Sequence, residues 1–229
     1  MKTIGLIGGT TWHSTIDYYR IINETVSRRS GNNSSAKLLL YSVDFEEIYN
    51  LTQQQNWTGV AAILCDAAAR LETAGADCLL LCANTMHINA DKVKQSIAIP
   101  LIHVADVTAA AIRAKNIETV LLLGTKYTML GGFYEERLAK YGIKTVVPIG
   151  VEREKINDTI YNEFGKGIFS PETKKLYLEL IQQYRSKGVE GVILGCTEIP
   201  LLVHQEDCDL PLFNTTEIHA VAAVDFAGY

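Results

Sequence analysis

The segment 3–9 reads TIGLIGG and joins a short apolar run to a pair of glycines. The apolar run predicts a buried strand, and Gly8-Gly9 predicts the tight turn that ends it. Beyond the turn, apolar residues recur at the spacing of one helix face: Ile16, Tyr19, Ile22 and Val26. A strand, a turn and a helix in this order begin a βαβ unit, which indicates an α/β fold.

The same alternation of strand and helix patterns continues along the chain. Apolar runs predict further strands at 37–42, 77–82, 100–104, 119–123, 144–147 and 191–194. Helical spacing predicts helices over 57–74, through Ile156, Ile160 and Phe164, after Ser170-Pro171, and over 215–227. Ser170 is typical of an N-cap and Pro171 of a first helical residue. This alternation predicts mostly parallel sheets flanked by helices.

The two halves of the chain follow a similar plan. Segment 3–8, TIGLIG, aligns with 119–124, TVLLLG, and segment 75–82, GADCLLLC, aligns with 188–196, GVEGVILGC, after one inserted glycine. Each half therefore carries a cysteine at the same place, Cys82 in the first and Cys196 in the second. Internal similarity of this kind predicts two lobes of similar plan related by pseudo-symmetry.

Composition excludes several classes of protein. A chain of 229 residues with 48% hydrophobic and 21% charged residues is typical of a globular protein with a substantial core. The net charge of −5 leaves no basic surface for a nucleic-acid backbone. No apolar run approaches the ~18 residues of a membrane span, and the start of the chain does not resemble a signal peptide. We therefore expect a cytoplasmic protein without a nucleic-acid or membrane partner.

The cysteine pattern argues against disulfides and against a structural metal. Five cysteines, at positions 65, 78, 82, 196 and 208, make an odd number without a CxxC pair. On a strand, Cys78 and Cys82 would lie roughly 13 Å apart, which is too far for a disulfide. Most free cysteines are small buried hydrophobic residues. Only the matched pair Cys82 and Cys196 calls for a different interpretation.

The matched cysteines occupy positions where parallel sheets bind ligands. Both follow a predicted strand, and ligands bind outside the carboxyl ends of such strands. If the two lobes face each other across a cleft, Cys82 and Cys196 reach a bound ligand from opposite sides. That arrangement suits removal of a proton from one face of a carbon and return of a proton to the other. One thiol must then be activated, and Glu198, His87 and the helix amino termini are the candidates.

Polar groups beside the two cysteines are candidates for binding a carboxylate. They follow the cysteines or lie in the turns after the first strand of each half: Thr10, Thr11, Ala83, Asn84, Thr85, Thr125, Thr197 and Glu198. Backbone N–H groups and hydroxyls in such turns bind anions. We expect an anionic small molecule as the ligand.

Three segments resemble the aspartate/glutamate racemase superfamily, in particular its aspartate racemase branch. They are 4–15, IGLIGGTTWHST, 82–87, CANTMH, and 195–199, GCTEI. The resemblance implies a first lobe of residues 1–104 and 209–229 and a second lobe of residues 105–208. It also implies cofactor-independent racemisation of aspartate, with glutamate as a further substrate, and a homodimer. No pyridoxal phosphate is expected.

The resemblance assigns a role to each matched residue. By position, Cys196 would handle the proton of the L-enantiomer and Cys82 that of the D-enantiomer. The residues that would hold the α-carboxylate are Asn84, Thr85, Thr125 and Thr197. Glutamate racemases carry Asp-Ser where this chain has Gly8-Gly9, and Cys-Thr-His where it has Cys196-Thr197-Glu198. Both differences favour the aspartate branch.

The partner of the distal carboxylate is less evident from the sequence. Some aspartate racemases have an arginine and others a glutamine soon after the second strand, where this chain has Thr52 and three glutamines. Thr52 is therefore expected to bind substrate, and Lys166 is a substitute from the second lobe.

Three other interpretations remain at this point. A hydantoin racemase or a maleate isomerase of the same superfamily would keep both cysteines and act on a different compound. A small-anion binding protein without catalysis would keep only the scaffold. Gly8-Gly9-Thr10 resembles half of a dinucleotide-binding fingerprint, but the GxGxxG pattern is not completed.

Overall fold

The computed structural model describes residues 1–31 and 33–229, and the chain divides into two compact units. Unit 1 comprises Met1–Val104 and Thr216–Tyr229, and unit 2 comprises Ala105–Thr215. The chain thus returns to unit 1 at Thr216 rather than at the predicted residue 209. The reason is that Leu212–Asn214 forms a strand of the sheet of unit 2.

Unit 1 is built on a three-stranded parallel sheet. Its strands are β1 Ile4–Gly8, β2 Leu38–Ser42 and β3 Cys78–Leu81, in the order β2-β1-β3. Its helices are α1 Trp12–Ser30, α2 Phe45–Gln53, α3 Trp57–Thr73 and α4 Ala90–Gln95, together with α10 Thr215–Ala227 from residue 216 onward. All residues of β1 and β3 are buried, as expected for a central strand and its neighbour in an α/β unit.

Helices cover both faces of this sheet. On one face, residues of α1 and α10 pack against Ile4, Leu6 and Leu80. On the other face, α3 packs against Ile7, Leu79 and Leu81. Since successive side chains of a strand point to opposite faces, an apolar run without polar interruptions is what a doubly covered strand requires.

Unit 2 is built on a four-stranded parallel sheet. Its strands are β4 Thr119–Gly124, β5 Lys144–Val146, β6 Gly191–Gly195 and β7 Leu212–Asn214, in the order β5-β4-β6-β7. Its helices are α6 Lys126–Leu130, α7 Phe133–Ala139, α8 Val151–Asn162 and α9 Pro171–Arg185, together with α5 Val104–Arg113 from residue 105 onward.

The two sheets repeat one plan, which confirms the predicted pseudo-symmetry of an α/β fold. In each, the first strand of the unit lies between the second and the third, so that β2-β1-β3 corresponds to β5-β4-β6. Cys82 directly follows β3, and Cys196 directly follows β6. Each cysteine therefore leaves the carboxyl end of the strand beside the central one.

Several predicted elements agree with the structure closely. The helix predicted over 215–227 is α10, and the helix predicted over 57–74 is α3, one residue shorter. Ser170 caps α9 by accepting a hydrogen bond from the Thr173 amide, and Pro171 is its first residue. Among the described residues, no helix combines the length and the apolarity needed to cross a bilayer.

Two predictions on secondary structure were wrong. The strand predicted at 100–104 is reduced to one bridge, between Leu101 and Leu79, because α5 already begins at Val104. The helix predicted through Phe164 ends at Asn162, and Phe164 lies in a 3₁₀ turn closed by Gly167. Some short elements were not predicted, because their hydrophobic patterns extend over too few residues. They are helices α2, α6 and α7 and strand β7.

Candidate active site

The turn after β1 requires glycine at position 9. Gly9 has a φ of +83°, and a Cβ on it would lie 2.2 Å from the Val43 carbonyl oxygen. L-residues rarely adopt such a φ, and here the neighbouring backbone leaves no space for a side chain. The Gly9 amide donates to the Thr15 hydroxyl at 2.9 Å, which fixes the turn against α1. Thr10 and Thr11 therefore leave β1 in a defined direction.

Thr10 has a buried hydroxyl at the carboxyl end of β1. Its side chain is 7% exposed, and within the described part of the chain its Oγ1 has no hydrogen-bond partner. Buried polar groups are almost always hydrogen-bonded, so a buried hydroxyl without a partner is a candidate for binding a ligand.

Ser14 connects this turn to the first cysteine. Its Oγ lies 2.9 Å from the Thr11 carbonyl and 3.0 Å from the Cys82 carbonyl, so that its proton is shared between two acceptors. The structure thus brings the β1–α1 turn and the backbone of Cys82 together. Sequence reasoning missed Ser14, since a serine in the first turn of a helix looks like an ordinary capping residue.

Cys82 is completely buried in unit 1. It belongs to the apolar cluster that includes Tyr18 and Ala220, and burial raises the pKa of its thiol well above the ordinary value. A thiol in this environment holds its proton.

The loop after Cys82 begins with the residues predicted to bind a carboxylate. Ala83 is half-buried, Asn84 is 5% exposed, and Thr85 opens a 3₁₀ turn that runs to Asn89. His87 belongs to this turn and is 2% exposed. Its imidazole is bonded to backbone groups on both sides, at Ala83 and at Val104, which differs from the predicted role in tuning a thiol.

Thr125 and Asn157 define the corresponding turn of unit 2. Thr125 caps α6 by accepting a hydrogen bond from the Thr128 amide, and it also donates to the Thr128 hydroxyl. The Asn157 side chain accepts from the Lys126 amide at 2.9 Å and thereby ties the start of α6 to α8. Thr125 is where the sequence predicts it, at the end of β4, whereas the role of Asn157 had no local signal.

Cys196, Thr197 and Glu198 form a connected group after β6. The Cys196 thiol donates to Glu198 Oε2 at 2.9 Å, and the Thr197 hydroxyl donates to the same oxygen at 2.7 Å. Burial, and next the charge and hydrogen bond of Glu198, raise the pKa of the Cys196 thiol well above the ordinary value. The thiol therefore holds its proton in this arrangement, and the Glu198 carboxylate is the acceptor that lies nearest to that proton.

The two candidates for the distal carboxylate lie on different elements. Thr52 is 5% exposed, on α2. Lys166 is exposed and ends the 3₁₀ turn that starts at Phe164.

Among the described residues, no group of three or more His, Cys, Asp or Glu side chains could hold a metal ion.

The remaining cysteines have structural surroundings. Cys65 is half-buried on α3, and Cys78 is buried in β3, where burial raises its pKa to about 11. Cys208 is half-buried and follows a 3₁₀ turn over Gln205–Asp207. Each of these three agrees with a packing role.

Comparisons with known proteins give one consistent result. The profile of the Asp/Glu/Hydantoin racemase family matches residues 7–223. A Yersinia pestis protein assigned as an Asp/Glu racemase is 46% identical, with a TM-score of 0.94 and 99% coverage of both chains. An aspartate racemase homologue from Pyrococcus horikoshii OT3 is 38% identical, with a TM-score of 0.87 and 100% coverage of both chains.

Curated relatives are more distant. A glutamate racemase of Hydrogenobaculum is 30% identical over 147 residues, which are 60% of this chain and 52% of that protein. The family profile covers nearly the whole chain, and the two sheets repeat one plan with matched cysteines. This chain is therefore a member of the Asp/Glu/Hydantoin racemase family of isomerases.

Proposed function

We propose that this protein is a cofactor-independent racemase that interconverts L- and D-aspartate, with glutamate as a second substrate. Cys82 and Cys196 would act on opposite faces of Cα. The observation that carries the proposal is the hydrogen bond from the Cys196 thiol to the Glu198 carboxylate at 2.9 Å, at the end of the strand that corresponds to the one before Cys82.

The proposed chemistry begins with proton transfer from Cys196 to Glu198. The thiolate then takes the Cα proton of L-aspartate, which leaves a carbanion at Cα. The Cys82 thiol, whose pKa burial keeps high, donates its proton to the other face and gives D-aspartate. After one turnover Cys82 is a thiolate, Cys196 is a thiol and Glu198 is a carboxylic acid, and transfer of the Glu198 proton to Cys82 through water restores the starting state. The reverse direction uses the same groups in exchanged roles.

The proposed substrate contacts follow from the turns at the ends of the strands. The α-carboxylate would be held by Asn84, Thr85, Thr125 and Thr197, and the buried Thr10 hydroxyl, which lacks a partner among the described residues, supports a further contact. Donors placed at the developing charge contribute most of the rate, and loss of one donor costs about 3 kcal/mol. Thr52 and Lys166 are proposed for the distal carboxylate.

Racemisation of each enantiomer, followed by circular dichroism without added cofactor, tests the proposed activity. In D₂O, the Cα proton of aspartate should exchange with solvent in the presence of the protein. Absence of exchange with both aspartate and glutamate would contradict the proposal and favour a substrate such as a hydantoin.

Single substitutions test the roles of the two cysteines. Cys82→Ser and Cys196→Ser should each abolish racemisation, because a two-base reaction needs both groups, whereas Cys65→Ser on α3 should leave the rate unchanged. If both serine variants kept aspartate binding and the original protein had no racemase activity, the protein would be a small-anion binding protein.

A further inference from the structure

The imidazole of His87 bridges the loop that follows Cys82 to another segment of unit 1. Its Nδ1 lies 3.0 Å from the Ala83 carbonyl and 3.3 Å from the Asn84 carbonyl. Its Nε2 accepts a hydrogen bond from the Val104 amide at 3.3 Å. One side chain thus joins the backbone just before the 3₁₀ turn 85–89 to the start of α5.

These contacts define the protonation state of the ring. The Val104 amide can only donate, so Nε2 must be an unprotonated acceptor. The carbonyls of Ala83 and Asn84 can only accept, so Nδ1 must carry the proton. The contacts therefore fit the neutral imidazole with its proton on Nδ1.

Neighbouring rings hold this imidazole in place. His87 makes edge-to-face contacts with His103 at 4.6 Å and with His219 at 5.5 Å between ring centroids. His219 is itself fixed between the Tyr18 hydroxyl and the Ile102 carbonyl, each at 2.8 Å. A ring that is 2% exposed and bounded in this way has little freedom to rotate.

We propose that His87 is a positioning residue for the reaction: its neutral imidazole, by bonding Ala83 and Val104, holds the loop that presents Asn84 and Thr85 to the substrate carboxylate. The inference rests on the proposed function for its kinetic consequence. Its structural part, the tautomer and the ordering of the loop, stands independently of the substrate.

Three substitutions separate the two hydrogen bonds. His87→Asn places an amide nitrogen near the position of Nδ1 and keeps a donor for Ala83. His87→Gln places an amide oxygen near the position of Nε2 and keeps an acceptor for Val104. His87→Leu removes both bonds. Glu72→Ala is the matched control, since Glu72 also joins a helix of unit 1 to the backbone of another segment, at Ala98 and Ile99, and not to the loop.

The kinetic test compares kcat and KM for racemisation with thermal stability. Displacement of binding groups by about 1 Å costs up to 10²-fold in rate. We expect His87→Leu to lower kcat/KM by about that factor, mainly through a lower kcat, because the displaced loop donors no longer meet the charge that develops in the transition state. His87→Asn should recover more activity than His87→Leu, and Glu72→Ala should keep its kcat and KM while its Tm falls. Kinetic constants of His87→Leu within twofold of those of the original protein would overturn the proposal. A decrease in kcat/KM that parallels the decrease in Tm in all four variants would overturn it as well.

Two measurements do not depend on any substrate. Nitrogen-15 NMR of histidine-labelled protein at neutral pH should find His87 neutral with its proton on Nδ1. Hydrogen exchange should accelerate in the peptide that contains residues 83–89 in His87→Leu and not in Glu72→Ala. A proton on Nε2, or unchanged exchange in His87→Leu, would refute the positioning role. If the original protein racemised neither acidic amino acid, the proposed function would fail while these two measurements still tested His87.

Discussion

The two matched cysteines differ in their nearest polar neighbour. Cys196 has a carboxylate two residues later in the chain, and the thiol donates to it directly. Cys82 lies among apolar side chains, and burial is what raises its pKa. Burial raises the pKa of both thiols and Glu198 raises that of Cys196 further, so what distinguishes the two positions is the carboxylate acceptor beside Cys196.

Replacement of the carboxylate should have opposite effects on two properties of Cys196. Glu198→Gln removes a negative charge that disfavours the thiolate, so the pKa of Cys196 should fall and alkylation by iodoacetamide at a fixed pH should become faster. Racemisation should decrease by about 10²-fold, because the acceptor of the thiol proton is lost. Peptide mapping by mass spectrometry measures the first effect and circular dichroism the second.

Glu206→Gln, a substitution of an exposed carboxylate in unit 2, is the control and should change neither property. Unchanged alkylation of Cys196 in Glu198→Gln would show that the carboxylate does not act on this thiol, and slower alkylation would show that it favours the thiolate.

Turns rather than helices carry the predicted binding groups, and close backbone contacts fix their shape. Gly9 and Gly75 both have positive φ angles, +83° and +95°. A Cβ at position 75 would meet nothing within 4 Å, whereas a Cβ at position 9 would meet the Val43 backbone. The two glycines therefore separate the effect of backbone conformation from that of crowding.

Alanine at these positions should give unequal losses. Gly75→Ala should lower the free energy of unfolding by about 1–2 kcal/mol, the cost of a left-handed conformation in a residue with a side chain. Gly9→Ala should cost more, and it should also reduce racemisation, because Val43 and the turn that carries Thr10 must move apart. Urea unfolding measures the free energy of unfolding, and initial rates measure racemisation. Equal losses of stability in the two variants, with unchanged activity, would contradict the expectation.

At the scale of the whole molecule, the chain end completes unit 1. His219 of α10 is completely buried and accepts from the Tyr18 hydroxyl of α1 while it donates to the Ile102 carbonyl. Burial lowers its pKa from 6.5 to about 4. One neutral side chain thus joins the last helix to the first helix and to the segment before α5.

This buried histidine should make the protein less stable in acid. The unfolded protein binds a proton at His219 below pH 6.5, but the folded protein does so only near pH 4. The contribution of His219 to the free energy of unfolding is therefore complete above pH 6.5 and is lost as the pH falls to about 4. The total loss is about 3 kcal/mol at 1.36 kcal/mol for each pH unit. Urea unfolding at pH 7 and pH 5 should give a smaller difference for His219→Gln than for the original protein.

His13→Gln, a change of an exposed histidine of unit 1, should leave the pH dependence as it is. If the difference in free energy of unfolding between pH 7 and pH 5 were the same in His219→Gln as in the original protein, other groups would be responsible for the acid sensitivity.

Much of the fold is encoded in local patterns. The buried strands β1, β3, β4 and β6 follow from apolar runs that end at glycine or cysteine, and α9 follows from Ser170-Pro171. Predictions failed where a neighbouring element decided the outcome. Residues 100–104 are apolar enough for a strand, yet only Leu101 pairs, and Leu212–Asn214 joins a sheet although its run is short.

Local sequence patterns are sufficient for the class of fold, the repeat and the position of both cysteines at strand ends, because periodicity and turn residues act over short distances along the chain. Tertiary structure decided which groups surround those cysteines. Ser14 meets Cys82 across 68 residues, Asn157 meets Lys126 across 31, and His87 meets Val104 across 17. Such hydrogen bonds depend on how helices pack on the sheets, and no local pattern carries that information.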